Sequence, residues 1–206
     1  VLSGAALPGL FSPLLMHSSA RASFLGVARF APGAALTAEA PRGDRLTLTG
    51  DRLRPYGMRS APFDGEGLPG ARIVVFADGV LKRLWGDARS AAYAGIAPTG
   101  DFGNVTVAAG TTPLAALRAP TDGPVYEIVA FSWLHPDPLT GAFASEIKLG
   151  YRHEPGGDNV PIKGGSLTGN LFAALADARF SAELYSDGTY HGPAGIRFGA
   201  LTISGD

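Results

Sequence analysis

Residues 71–85 read ARIVVFADGVLKRLW: a largely apolar, β-branched run over 71–77, the dipeptide Asp78-Gly79, and alternation resuming over 80–85. Asp-Gly supplies positive φ at both centres of a two-residue type I′ turn, so this pattern predicts a β-hairpin. Elsewhere, residues 44–50 set Leu46 and Leu48 against Thr47 and Thr49, the mark of a short half-buried strand. A strand followed by a Gly/Pro turn is predicted over 1–10, and strands over 104–108, 127–134, 143–152, 160–168 and 195–204, with a turn at 156–159 and Pro136 and Pro138 ending the run that contains Trp133. Three helices are predicted. The first covers 11–30, with Phe11, Leu14, Leu15, Ala22 and Leu25 at roughly helical spacing. The second runs to residue 119 from Thr112-Pro113, a hydroxyl N-cap with Pro at the first helical position. The third, amphipathic, covers 171–180 and is capped by Asn170.

About nine strands without βα alternation predict a mainly β (α+β) fold. Antiparallel sheets would form a sandwich or open barrel, with about three helices packed outside it, in a single domain over 1–206. No internal repeat is visible.

Composition narrows the picture. A chain of 206 residues with 46% hydrophobic content supports one packed core, and 29 Gly with 16 Pro fits many tight connections. A net charge of −1 without a basic cluster gives no electrostatic footprint for nucleic acid. Cys is absent, which removes a disulfide framework and thiolate metal ligands. No apolar run has the length of a membrane span. Residues 5–16 are apolar and Ala20-Arg21-Ala22 is a small-x-small triplet, yet no basic region precedes them and Pro8 and Pro13 interrupt them. They are read as folded structure. A first residue of Val1 instead of Met reads as a fragment, a processed form or a trimmed chain. The loop 64–70, DGEGLPG, places Asp64 and Glu66 on a backbone that three glycines let bend. It is either a solvated turn or the lining of a ligand groove.

The stretch FDGEGLPGARIVVFADGVLKRLWGDARSAAYAGIAPTG resembles the C-terminal domain of the TldD/PmbA peptidase family. The opening VLSGAALPGLFSPLLMHSSA is similar to that family's lead-in to its active-site helix, and GAFASEIKLGYRHEPGGDNVPIKGGSLTGNL to a later Gly-rich block. In the zinc-bearing branch that helix carries HExxxH, two imidazoles for the metal and a glutamate beside them. Here Pro13 and Leu14 stand at the His-Glu positions and Ser18 at the second His, with His17 one position away. One imidazole cannot hold zinc. The segment LYSDGTYHGPAG also lacks the cysteine of the metal branch, and His135, His153 and His191 share no element with ligand spacing.

The resemblance therefore implies the PmbA-like (TldE-like) branch. That is a pseudoenzyme subunit with no catalytic or metal-binding residue and no cofactor of its own, zinc being expected in a TldD-like partner. It also implies a cytoplasmic hetero-oligomer that trims unfolded or leader-type peptides, without nucleic acid or membrane, and a preceding α/β domain that is not in this chain. His17, Asp64, Glu66, Arg72, Lys163 and Asn170 are the candidates for the cavity or peptide-contacting side. The competing readings are a free-standing β-rich binding or scaffolding module with no peptidase partner, and an autonomous hydrolase using Asp64, Glu66 or a histidine. The hydrolase lacks a nucleophile at recognisable spacing.

Overall fold

A computed structural model describes residues 1–199 and 201–205. Its strands in chain order are β1 (Leu2–Ser3), β2 (Leu48–Asp51), β3 (Arg72–Ala77), β4 (Val80–Leu81), β5 (Asn104–Val107), β6 (Val125–Phe131) and β7 (Ala142–His153), then β8 (Asn159–Ile162), β9 (Ser166–Asn170), β10 (Arg179–Phe180), β11 (Leu184–Ser186), β12 (Tyr190–Pro193), β13 (Gly195–Arg197) and β14 (Thr202–Ser204). The α-helices among the described residues are α1 (Ser12–His17), α2 (Ala20–Phe24), α3 (Ala88–Ala94), α4 (Leu114–Arg118) and α5 (Leu171–Ala174). The larger sheet runs β10-β13-β1-β6-β7-β9-β14, with β8 also paired to β7; the smaller runs β11-β12-β5-β2-β3-β4. Pairing is antiparallel except between β1 and β6 and between β12 and β5. The mainly β expectation holds, as two mixed sheets not closed into a barrel.

Alternation explains how the sheets meet. Along β7, Phe143, Ser145 and Ile147 are buried while Ala144, Glu146 and Lys148 face solvent, so one face of the larger sheet turns inward. Phe143, Ile147, Leu167, Phe180 and Ile196 from that sheet share one core cluster with Leu48, Val75, Phe76, Val107 and Tyr190 from the smaller. Leu7, Leu10, Phe11 and Leu14 complete the cluster from the segment before and within α1. Each such side chain contributes roughly 1.5–3 kcal/mol by leaving water.

The hairpin forms as its dipeptide requires, with Asp78 at φ 51° and Gly79 at φ 73° joining β3 to β4. Nothing lies within 4 Å of where a Cβ on Gly79 would stand, so a substitution there meets backbone strain alone. Gly79→Val is expected to cost about 1–3 kcal/mol, because β-branched residues are strained at positive φ. An unchanged thermal midpoint would contradict that geometry.

Several expected elements are shorter than predicted. Within the strand and turn expected over 1–10, the strand is only β1, since residues 4–6 turn into a short 3-10 helix. Helix 11–30 breaks at Ser18 and Ser19. Ser18 Oγ donates back to the Leu14 carbonyl at 2.6 Å, Ser19 Oγ accepts from Ala22 N at 3.1 Å to cap α2, and the freed backbone pairs with Trp85. Helix 171–180 stops after one turn, because the chain must extend into β10 for Arg179 and Phe180 to pair with Arg197 and Ile196. Strand 160–168 divides into β8 and β9 at Gly164-Gly165, a kink that lets both halves pair with β7. Strand 195–204 divides into β13 and β14, which lie toward opposite ends of the larger sheet.

One capping detail also differs. Pro113, not Thr112, occupies the N-cap of α4, and the first helical N–H, that of Leu114, donates to Glu183 Oε2 at 2.7 Å instead. Five helices replace three partly because α3 was not predicted. Asp87 caps it by accepting from Ser90 N, and Gly95 ends it in the left-handed conformation.

Candidate functional site

The segment that corresponds by resemblance to the active-site helix is α1, and a groove of about 470 Å³ opens beside it. Leu15 of α1, Trp85, Phe102, Met58, Arg52 and Asp101 line it. Trp85 is fixed by its indole N–H, which donates to the Leu15 carbonyl at 2.9 Å, and its ring meets Phe102 edge-on at 5.4 Å between centroids. Arg52 reaches across with one N–H to Asp101 Oδ2 at 2.7 Å and another to the Phe63 carbonyl at 2.9 Å. Buried Asn104 holds the outer wall: it donates to the Asp51 carbonyl and to Ser60 Oγ and accepts from Arg59 N. The groove thus offers one clamped ion pair between aromatic walls. Among the residues that line it, no nucleophile and base are in contact.

Asp64 and Glu66 stand in the neighbouring loop. Asp64 is buried and organises it, Oδ1 accepting from Glu66 N and Leu68 N at 2.9 Å each. Glu66 extends to α3, where Oε2 accepts from Ala88 N at 2.6 Å. Arg72 on β3 is exposed and only 4.0 Å from Asp51, a pairing of little energetic weight.

His17 and Asn170 meet elsewhere, at the turn 137–141. His17 is buried; its Nδ1 accepts from Arg29 N at 3.0 Å and its Nε2 therefore donates to the Leu139 carbonyl at 2.8 Å. Asn170 caps α5 through Oδ1 and donates from Nδ2 to the Thr140 carbonyl at 2.7 Å. Asp137 shapes the same turn, its Oδ1 accepting from Leu139 N, Thr140 N and Thr140 Oγ1. These hydrogen bonds hold the Asp137 carboxyl below the usual carboxylate range. Lys163 lines a separate cavity of about 420 Å³ with Tyr126 and Arg152. The six candidates thus fall into three places. Arg52, Trp85 and Asp101 were not among them. They are scattered through the sequence, and the local signal near them is slight: a tight turn at Gly103, φ 76°, just after Asp101 and Phe102.

Zinc does not fit α1. Pro13 sits in its first turn, Leu14 is fully buried in the core, and Ser18 lies past its last residue with Oγ bonded to Leu14. Both nitrogens of His17 are engaged, leaving no lone pair for a metal. Among the described residues no three His, Cys, Asp or Glu side chains converge as ligands.

The family described as the PmbA/TldA metallopeptidase C-terminal domain matches residues 2–205. Similar solved structures include TldE from Thermococcus kodakarensis, at TM-score 0.81 and 22% identity, covering 99% of this chain and 49% of that one. A Thermotoga maritima protein described as a candidate modulator of a DNA gyrase also matches, at TM-score 0.81 and 19% identity over 98% of this chain and 48% of that one. At these identities the likeness shows the fold. An uncharacterized protein of Methanocaldococcus jannaschii is 26% identical over 144 residues, 66% of this chain and 34% of that protein. The chain thus spans about half the length of the solved relatives and a third of the curated one.

Proposed function

The chain belongs to the PmbA/TldA metallopeptidase family, whose C-terminal domain it matches almost end to end, and on that premise we propose that it is a metal-free subunit that shapes a peptide-binding cavity beside a zinc-bearing relative. The reading rests above all on one observation: along and just past the helix where the family's metal branch places its ligands, this chain has a helix-start proline, a core leucine and a buried serine. The helix is kept and its chemistry is not. What the domain retains is a groove that holds side chains in place, with Arg52 and Asp101 as polar anchors and Trp85 and Phe102 as apolar walls.

The outer edge of that groove supports an interface. Residues 53–63 expose Leu53, Tyr56, Met58 and Phe63, with Tyr56 fully exposed and Met58 at 79%. Large exposed apolar groups along one loop mark contact surfaces. In this reading the peptide is unfolded or leader-like, the complex is cytoplasmic, and cleavage is performed by the partner. Among the described residues, no helix is long and apolar enough to cross a membrane.

Co-expression with a zinc-bearing relative followed by sedimentation tests this. A stable complex is expected, with peptide cleavage requiring both chains. A stable lone monomer, together with undiminished activity of the relative in its absence, would overturn the reading.

A further inference from the structure

A cavity of about 710 Å³, larger than the groove at α1, lies away from that helix, between α4, the β7–β8 connection and the paired β1 and β6. Its floor is a buried ionic cluster. Glu127 Oε1 accepts from Ser3 Oγ and from an Arg118 N–H, each at 2.6 Å, and Oε2 faces His153 Nε2 at 3.0 Å. On its other side the His153 ring meets Asn159 Oδ1 at 2.7 Å. Glu154, also on the wall, is paired with Arg152 at 2.5 Å.

The donors and acceptors around this cluster do not balance. Glu127 is occupied through both oxygens and Glu154 through Oε1, and Asn159 Oδ1 is taken by His153. Arg118 uses one of its five N–H groups; its Nε is buried without a partner, and its side chain, which lines the cavity, is 38% exposed overall. The surplus is therefore of donors, and a buried guanidinium N–H without an acceptor calls for one. The lining also has an apolar part, from Leu114, Ala115, Pro120 and Val129. A space of this size with one convergent polar corner suits a small ligand.

We infer that this cavity binds the carboxylate of a small molecule or chain end with an adjoining apolar group, Arg118 receiving the carboxylate and α4 covering the apolar part. The geometry favours carboxylate because guanidinium matches it with two parallel N–H donors. This cavity shares no lining residue with the groove beside α1.

The test uses N-acetyl-leucine and its amide, N-acetyl-leucinamide, as probes, with amide NMR shifts as the readout. The acid is expected to shift Val129, Asn159 and Ala194 saturably, with a dissociation constant of about 1–10 mM, as a probe of this size allows. The amide is expected to bind at least about tenfold more weakly, the loss of one charge-assisted contact. Ala115→Trp fills the apolar side and is expected to abolish the shifts, whereas Leu15→Trp in the α1 groove leaves them intact. Equal binding of acid and amide, absence of saturable shifts, or binding that survives Ala115→Trp would each overturn the inference. Arg118→Lys, which keeps the charge but loses the fork, should weaken the acid and leave the amide unchanged; equal weakening of both would also count against it.

Discussion

Replacing Glu127 with alanine lowers folding stability by about 3–5 kcal/mol, the cost of removing one partner from a buried ion pair. The side chain is 3% exposed and is held by Ser3, Arg118 and His153, so its loss strands donors from three other elements at once. Denaturant unfolding at neutral pH should show the midpoint falling with an unchanged slope. A loss under about 1 kcal/mol would mean that solvent reaches the cluster and satisfies it. The pH dependence follows from the same contacts. Burial pushes the Glu127 carboxyl up, but hydrogen bonds from Ser3, Arg118 and His153 and the Arg118 charge outweigh it, holding the group below its ordinary 4.5. The folded state thus takes up this proton less readily than the unfolded chain. The stabilisation is present above pH 4.5 and is lost as pH falls through the lower folded value. Glu127→Gln lacks that dependence, so its deficit relative to the parent should shrink on acidification from about pH 5 to pH 3.

Restoring the metal motif by Pro13→His, Leu14→Glu and Ser18→His is expected to unfold the domain without creating a zinc site. Leu14 and Ser18 are fully buried. A carboxylate at position 14 would enter the core without a cation, a penalty of several kcal/mol. An imidazole at position 18 adds about 1–3 kcal/mol of overpacking. The sum approaches the whole stability of a typical domain. Circular dichroism and elemental analysis after dialysis provide the readout. A folded variant that retains one zinc per chain would show that α1 can still adopt the ligand geometry, and the metal-free reading would need another basis.

What the sequence discloses of this fold is what is settled locally. The Asp78-Gly79 turn, the Asn170 cap and the apolar run of β6 each draw their conformation from residues within a few positions, and each forms. Asp87 and Gly95 bracket α3 with equally local signals, but seven residues between them are too few for a helical period to stand out. The break at Ser18-Ser19 could not be foreseen in this way. Two serines in a helical pattern are compatible with one helix or two, and the choice falls to Trp85, whose backbone donates to Ser18 and accepts from Ala20. The same limit applies to the sites. Glu127 reads as an ordinary strand residue until β1 brings Ser3 to it from 124 positions away. Arg52 and Asp101 likewise become a pair only when β2 and β5 align.

The placement of β1 sets the order in which the domain can be assembled. Leu2 pairs with Ile196 on one side and Ile128 on the other, so the larger sheet has a gap at its middle until residues from both ends of this stretch are present. Arg197 and Thr202 lie only five residues apart, yet β13 and β14 flank β1, β6, β7 and β9. Five residues span at most about 18 Å, less than the roughly 24 Å across those strands if flat, so the sheet must curl for the last segment to reach. Loop-closure entropy must be met before these distant pairings return any energy, which makes folding slow. On the ribosome, the hairpin of β3 and β4 can form early, while the larger sheet waits for the final residues of the domain to emerge.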